Sequence, residues 1–151
     1  MQKQPNLALN SNGALTALSI SPIEEDHFAL ADIITHPLGS LLTADTVSTA
    51  KTILLRRDVS VILCERDLKP GTWIEMLEYT TSLQRPPALI VTSRLADDRL
   101  WSEVLNLGGW DVLAKPFDRC EVSRSVESAW RHRQGETNVP VQEVRAFKAA
   151  S

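Results

Sequence analysis

The chain has 151 residues, of which 43% are hydrophobic and 23% charged, and its formal net charge is −3 at pH 7. That length suffices for one domain with a core of its own, and the charge offers no electrostatic footprint for nucleic acid. No apolar run approaches a membrane span and the first residues lack a signal peptide's hydrophobic region, so a soluble cytoplasmic protein is expected.

Residues 1–13 are polar and aperiodic and read as a tail. The first apolar run, Leu15 to Ile20, is followed by Ser21-Pro22-Ile23-Glu24, which reads as a capping box with Ser21 as N-cap and proline at N1. The acids Glu24, Glu25 and Asp26 then fall on a first turn, where the helix dipole favours them, and are expected to be solvated. Leu30, Ile33 and Ile34 give this helix its inner face, and His36-Pro37 ends it. A short strand from Ser40 to Thr43 leads to a helix capped by Asp45 or Thr46, with Val47, Ala50, Ile53 and Leu54 on one face. The most apolar run, Val59 to Cys64, is expected to be the central strand. Beyond the polar loop Glu65 to Gly71, Thr72 to Glu75 forms another capping box, opening a helix with Ile74 and Leu77 inward.

The next stretch is the most informative. Ala88-Leu89-Ile90-Val91 ends in Thr92-Ser93, a helix follows with Leu100, Val104 and Leu107 at i, i+4, i+7, and Gly108-Gly109 stops it. A second short run from Trp110 to Ala114 ends in Lys115-Pro116-Phe117. This is a strand–helix–strand pattern. Its crossover should be right-handed, which puts both strand ends on one sheet edge with Thr92 and Lys115 as neighbours. Asp118 to Glu121 caps a last helix, with Phe117 and Val122 as a hydrophobic staple. Val122, Val126, Ala129 and Trp130 face inward, and Gly135 closes the helix. Residues 135–151 form a second tail, with weak helical pattern from Glu143 to Ala150. One domain spanning 14–134 is thus expected, a doubly wound α/β fold with a five-stranded parallel sheet.

Five βα units, Thr92 ending strand four, the glycine pair, and Lys115-Pro116-Phe117 after strand five resemble the receiver domain of two-component response regulators. The resemblance covers about residues 15–133 and implies a flavodoxin-like, CheY-like (βα)5 fold and a role in phosphorelay signal transduction. It also implies a cis Lys115–Pro116 bond. In receivers an aspartate ending strand three accepts phosphate, two acids after strand one help hold Mg²⁺, and a strand-four Ser/Thr and a strand-five Lys bind the phosphoryl oxygens. Thr92 and Lys115 match that pattern. The phosphoacceptor position holds Glu65, the acid-pair positions hold Ser21 and Pro22, and the strand-five aromatic-switch position holds Val112.

These departures point to a pseudo-receiver. Ser21 and Pro22 supply no carboxylate for Mg²⁺, so no metal, no cofactor and no enzymatic activity are expected. Glu65 is long enough to reach Lys115, and an ion pair between them is expected. That pair would either lock one signalling state or persist as a relic.

Trp101 and Leu105, i, i+4 on helix four, form a candidate face for a protein partner such as a histidine kinase, an output protein or a second copy; alternatively Trp101 widens the core stripe. Trp73 is read as packing back over the loop before it. Cys64 and Cys120 lack metal-ligand spacing and are expected to be reduced and buried. His27, His36 and His132 share no motif and are read as solvated or capping residues. Two other functions stay open: a receiver still phosphorylated on Glu65 or Asp67, and a flavodoxin-like enzyme or cofactor binder. The latter lacks a phosphate-cradling loop after strand one.

Overall fold

The computed structural model describes residues 14–35 and 38–135. The expected tails, the helical pattern from Glu143 to Ala150, and His36 lie outside the described residues, apart from Gly135. The elements alternate as β1 (Leu15–Ile20), α1 (Glu24–Ile34), β2 (Gly39–Ala44), α2 (Val47–Arg56), β3 (Val61–Glu65), α3 (Trp73–Thr81), β4 (Ala88–Ser93), α4 (Asp98–Leu107), β5 (Asp111–Ala114) and α5 (Arg119–Gln134). The described strands form one parallel sheet in the order β2-β1-β3-β4-β5. This is the flavodoxin-like, CheY-like doubly wound arrangement, with β3 central and buried throughout.

Strand alternation divides the core into two layers. On one face, Leu18, Ile20, Ile62, Cys64, Leu89, Val91 and Val112 pack with Val47 and Ala50 of α2, Trp73, Met76 and Leu77 of α3, and Leu100 and Val104 of α4. On the other face, Ala17, Val61, Leu63, Ile90 and Leu113 meet Leu30, Ile33 and Ile34 of α1 and Val122, Val126 and Ala129 of α5. Glu65 and Thr92 continue the odd and even series that face α1 and α5, so the register directs both toward that side of the carboxyl edge.

Side-chain oxygens of Thr46, Thr72, Asp97 and Asp118 accept the backbone N–H three residues on and cap α2, α3, α4 and α5. Gly108 ends α4 at φ 107°, a left-handed conformation natural to glycine.

Several expectations are corrected. The N-cap of α1 is Ile23, without a side-chain cap. Ser21 instead accepts the Ile23 N–H and donates its own proton to Asp26. Glu65 is the last residue of β3 rather than the first of a loop. Leu107, expected inward, is 49% exposed at the end of α4, while Trp73 shares its core layer with Leu68 of the preceding loop, Met76 and Leu77. Cys64 is buried, where burial first and the charge of Glu65 second push its thiol upward. Cys120 is exposed.

Replacing Trp73 by alanine removes a buried indole and should cost about 3–5 kcal/mol in urea denaturation. Trp101→Ala, at a site 41% exposed, should stay within about 1 kcal/mol of the parent.

Candidate functional site at the carboxyl edge

Three strand ends build the site. Glu65 pairs with Thr92 in the β3–β4 register, and the Lys115 N–H, just past β5, continues the ladder by donating to the Ser93 carbonyl at 3.1 Å. From the α1/α5 side, α1 brings Asp26 over this edge. The Lys115 ammonium donates to Asp26 Oδ2 at 2.7 Å and to Glu65 Oε1. All three side chains are at most 10% exposed. Lys115–Pro116 is cis, as is Lys69–Pro70.

The carboxylates are themselves held. Glu65 Oε2 accepts the Asp67 N–H at 2.8 Å, and Asp26 Oδ2 accepts the Ser21 hydroxyl proton at 2.7 Å. Thr92 is buried beside them, but among the described residues its hydroxyl makes no hydrogen bond to Glu65 or Lys115. The Lys115 ammonium therefore serves two carboxylates rather than sharing a ligand with the threonine. Burial would push Lys115 down, yet the hydrogen bonds and charges of Asp26 and Glu65 more than offset it, and the net shift is upward from 10.5.

The other sequence-derived positions fall as follows. Ser21 is buried and acts by orienting Asp26, while Pro22 is exposed and touches none of the charges. Val112 lies on the opposite sheet face against the α4 layer. Trp101 is exposed on α4 with Leu105 half-buried beside it, so it does not widen the core. Asp67 is exposed in the loop after β3.

Two residues of α1 depart from the sequence reading. Asp26 is buried in the ion cluster, unlike the exposed Glu24 and Glu25. His27 is buried too: its Nδ1 meets the Ser19 hydroxyl at 2.8 Å and its Nε2 the Ser21 carbonyl at 3.0 Å, with Asp45 at 3.4 Å. The sequence signal for both was their spacing before Leu30 on the inner face of α1. His132 stacks on Trp110 at 4.7 Å between ring centroids.

The donor set does not fit Mg²⁺. That ion requires near-octahedral oxygens, whereas Asp26 and Glu65 converge on an ammonium, Asp26 Oδ2 also takes the Ser21 hydroxyl proton, and Glu65 Oε2 takes the Asp67 N–H. Among the described residues no three His, Cys, Asp or Glu side chains are grouped to hold a metal ion. The pocket carries its own cation.

No family model matches this sequence, and no curated protein does. Solved structures match over most of the chain. A signal receiver domain of an HD domain-containing protein from Pseudomonas fluorescens Pf-5 superimposes with a TM-score of 0.74 at 19% identity, covering 83% of this chain and 93% of its own. The signal receiver domain of a putative Luxo repressor protein from Vibrio parahaemolyticus gives 0.76 at 15%, covering 84% and 98%. The beryllofluoride-activated NtrC4 receiver domain dimer gives 0.72 at 16%, covering 78% and 98%. The fold is that of a receiver domain. On this receiver fold, the carboxyl edge carries a glutamate, an aspartate from α1 and a lysine in mutual contact. No described helix is long and apolar enough to cross a membrane.

Lys115→Met should destabilise the protein by about 3–5 kcal/mol, because it leaves two buried carboxylates facing each other without a cation. Adding Glu65→Gln to that variant should recover part of the loss, and a double-mutant cycle in urea reads the coupling.

The alkaline limb provides a separate check. A lysine whose folded value is raised contributes fully below its unfolded value of ~10.4 and loses that contribution as pH rises through the folded value, above 10.5. The stability gap between the parent and Lys115→Met should therefore be constant from about pH 7 to pH 10 and narrow at higher pH.

Proposed function

We propose that this chain is a receiver-like module of two-component signalling that works through protein contacts, without Mg²⁺-dependent aspartyl phosphorylation and without enzymatic activity of its own. The observation that carries this reading is the Lys115 ammonium bound between Glu65 and Asp26. In a phosphorylated receiver the equivalent lysine binds the incoming phosphoryl oxygens. Here it is already taken, and the three charges sum to −1, so a phosphoryl dianion meets repulsion where a divalent cation would have offset it.

The pocket then holds one signalling state, and output passes through the surface. The face of α4 bearing exposed Trp101 and half-buried Leu105 is the partner surface in this reading. A histidine kinase or an output protein is the partner class, and a homodimer is the other arrangement, as in the NtrC4 receiver dimer.

Titration of the full chain with beryllofluoride and Mg²⁺, followed by tryptophan fluorescence and sedimentation velocity, tests the reading. The expected result is no saturable fluorescence change and no change in sedimentation. A saturable response that Lys115→Met abolishes would overturn it in favour of a working phosphoacceptor.

A further inference from the structure

At the opposite edge of the sheet, a cleft of about 280 Å³ opens between the end of α2 and the α3–β4 loop. Leu54, Val59, Leu83 and Pro87 form its apolar lining, Gln84 adds an amide, and Arg57, Asp58 and Arg85 supply its charge. The cleft is preformed by a buried arginine. Arg133 of α5 donates to Asp58 Oδ1 at 2.9 Å, to the Arg85 carbonyl at 2.9 Å, to the Pro86 carbonyl at 3.3 Å and to Ser60 Oγ at 3.4 Å. One guanidinium thus fastens both loops that make the walls.

The charge inventory gives the ligand class. Asp58 is engaged by Arg133 and approached by Arg85 at 3.6 Å, while Arg57 has no side-chain ion pair among the described residues. The charged residues that line the cleft, Arg57, Arg85 and Asp58, sum to +1, in a chain whose net charge is −3. Guanidinia pair well with carboxylates in a two-point geometry, and an apolar lining with a few placed charges is the usual make-up of a small-molecule site. A monoanion neutralises that lining charge, whereas a dianion would leave an excess negative charge beside Asp58. The cleft is also somewhat smaller than those that hold drug-sized ligands.

We propose that this cleft binds a small free monocarboxylate with a compact apolar body, its carboxylate held by Arg57 and Arg85 and its hydrocarbon against Leu54, Val59, Leu83 and Pro87. The proposal is independent of the chemistry at the other edge.

The test is a ¹H–¹⁵N NMR titration of the full chain with 4-methylpentanoate, and in parallel with acetate, 4-methylpentanamide, inorganic phosphate and N-acetyl-leucine. Saturable shifts confined to residues 54–59 and 83–85 are expected for 4-methylpentanoate, with a Kd on the order of 1 mM. Acetate, the neutral amide and phosphate should bind at least tenfold more weakly. Arg57→Gln, a change at an exposed position that leaves the fold intact, should weaken 4-methylpentanoate at least tenfold. Absence of saturation, equal response to acetate or phosphate, or indifference to Arg57→Gln would overturn the proposal. N-acetyl-leucine presents the carboxylate of a polypeptide end together with its amide. Tighter binding of that probe than of 4-methylpentanoate would overturn the assignment to a free acid.

Discussion

A single ammonium between two buried carboxylates sets the character of the carboxyl edge. Withdrawing three charges from water is costly, and the cost is offset only when each partner's remaining donors and acceptors are satisfied. Here Ser21 adds a second hydrogen bond to Asp26 Oδ2, and the Asp67 backbone takes the second oxygen of Glu65. The requirement propagates outward. Ser21 bonds to Asp26 and to the Ile23 N–H rather than capping the helix, and α1 begins at Glu24 with Ile23 as its N-cap. His27 follows Asp26 inward and bonds to β1 and to the Ser21 carbonyl.

The parallel register explains why these groups meet. Successive residues of a strand face opposite sides, so Glu65, two beyond Leu63, belongs to the α1/α5 side, from which Asp26 arrives. Had the β3–β4 pairing slipped by one residue, the glutamate would face the α2/α3/α4 layer and leave the lysine without its strand-three partner. The same alternation places Val112 away from the charges, against α4.

Much of this was legible in the sequence, for physical reasons that can be named. Apolar runs closed by turn residues gave the order of strands, and the hydrophobic content of Val59 to Cys64 gave the central one. Glu65 and Lys115 were readable as neighbours because parallel strands joined by short crossovers end on one edge. Asp26 was not. An acid in a first turn is favoured by the dipole whichever way it points, so its burial depends on the helix rotation that Ser21 sets. The Ser21-Pro22-Ile23-Glu24 pattern misled for the same reason: a serine hydroxyl can serve a carboxylate as readily as a backbone N–H. Leu107 had the right phase for the core, but period gives direction around a helix and not how far along it the packing extends. Arg133 carries no signal at all; a basic residue in a last turn reads as a dipole partner, and only the folded chain brings it beneath the α3–β4 loop.

Lys115 and Arg133 belong to one continuous piece of chain, the segment running from the end of β5 through α5. The first fastens the carboxyl end of the central strand through Glu65, and the second fastens the approach to its amino end through Ser60 and Asp58. Helix α5 is therefore a brace laid along β3 and tied at both of its ends by a cation. The ion cluster and the arginine-lined cleft, at opposite edges of the sheet, are thus fastened to the two ends of one chain segment.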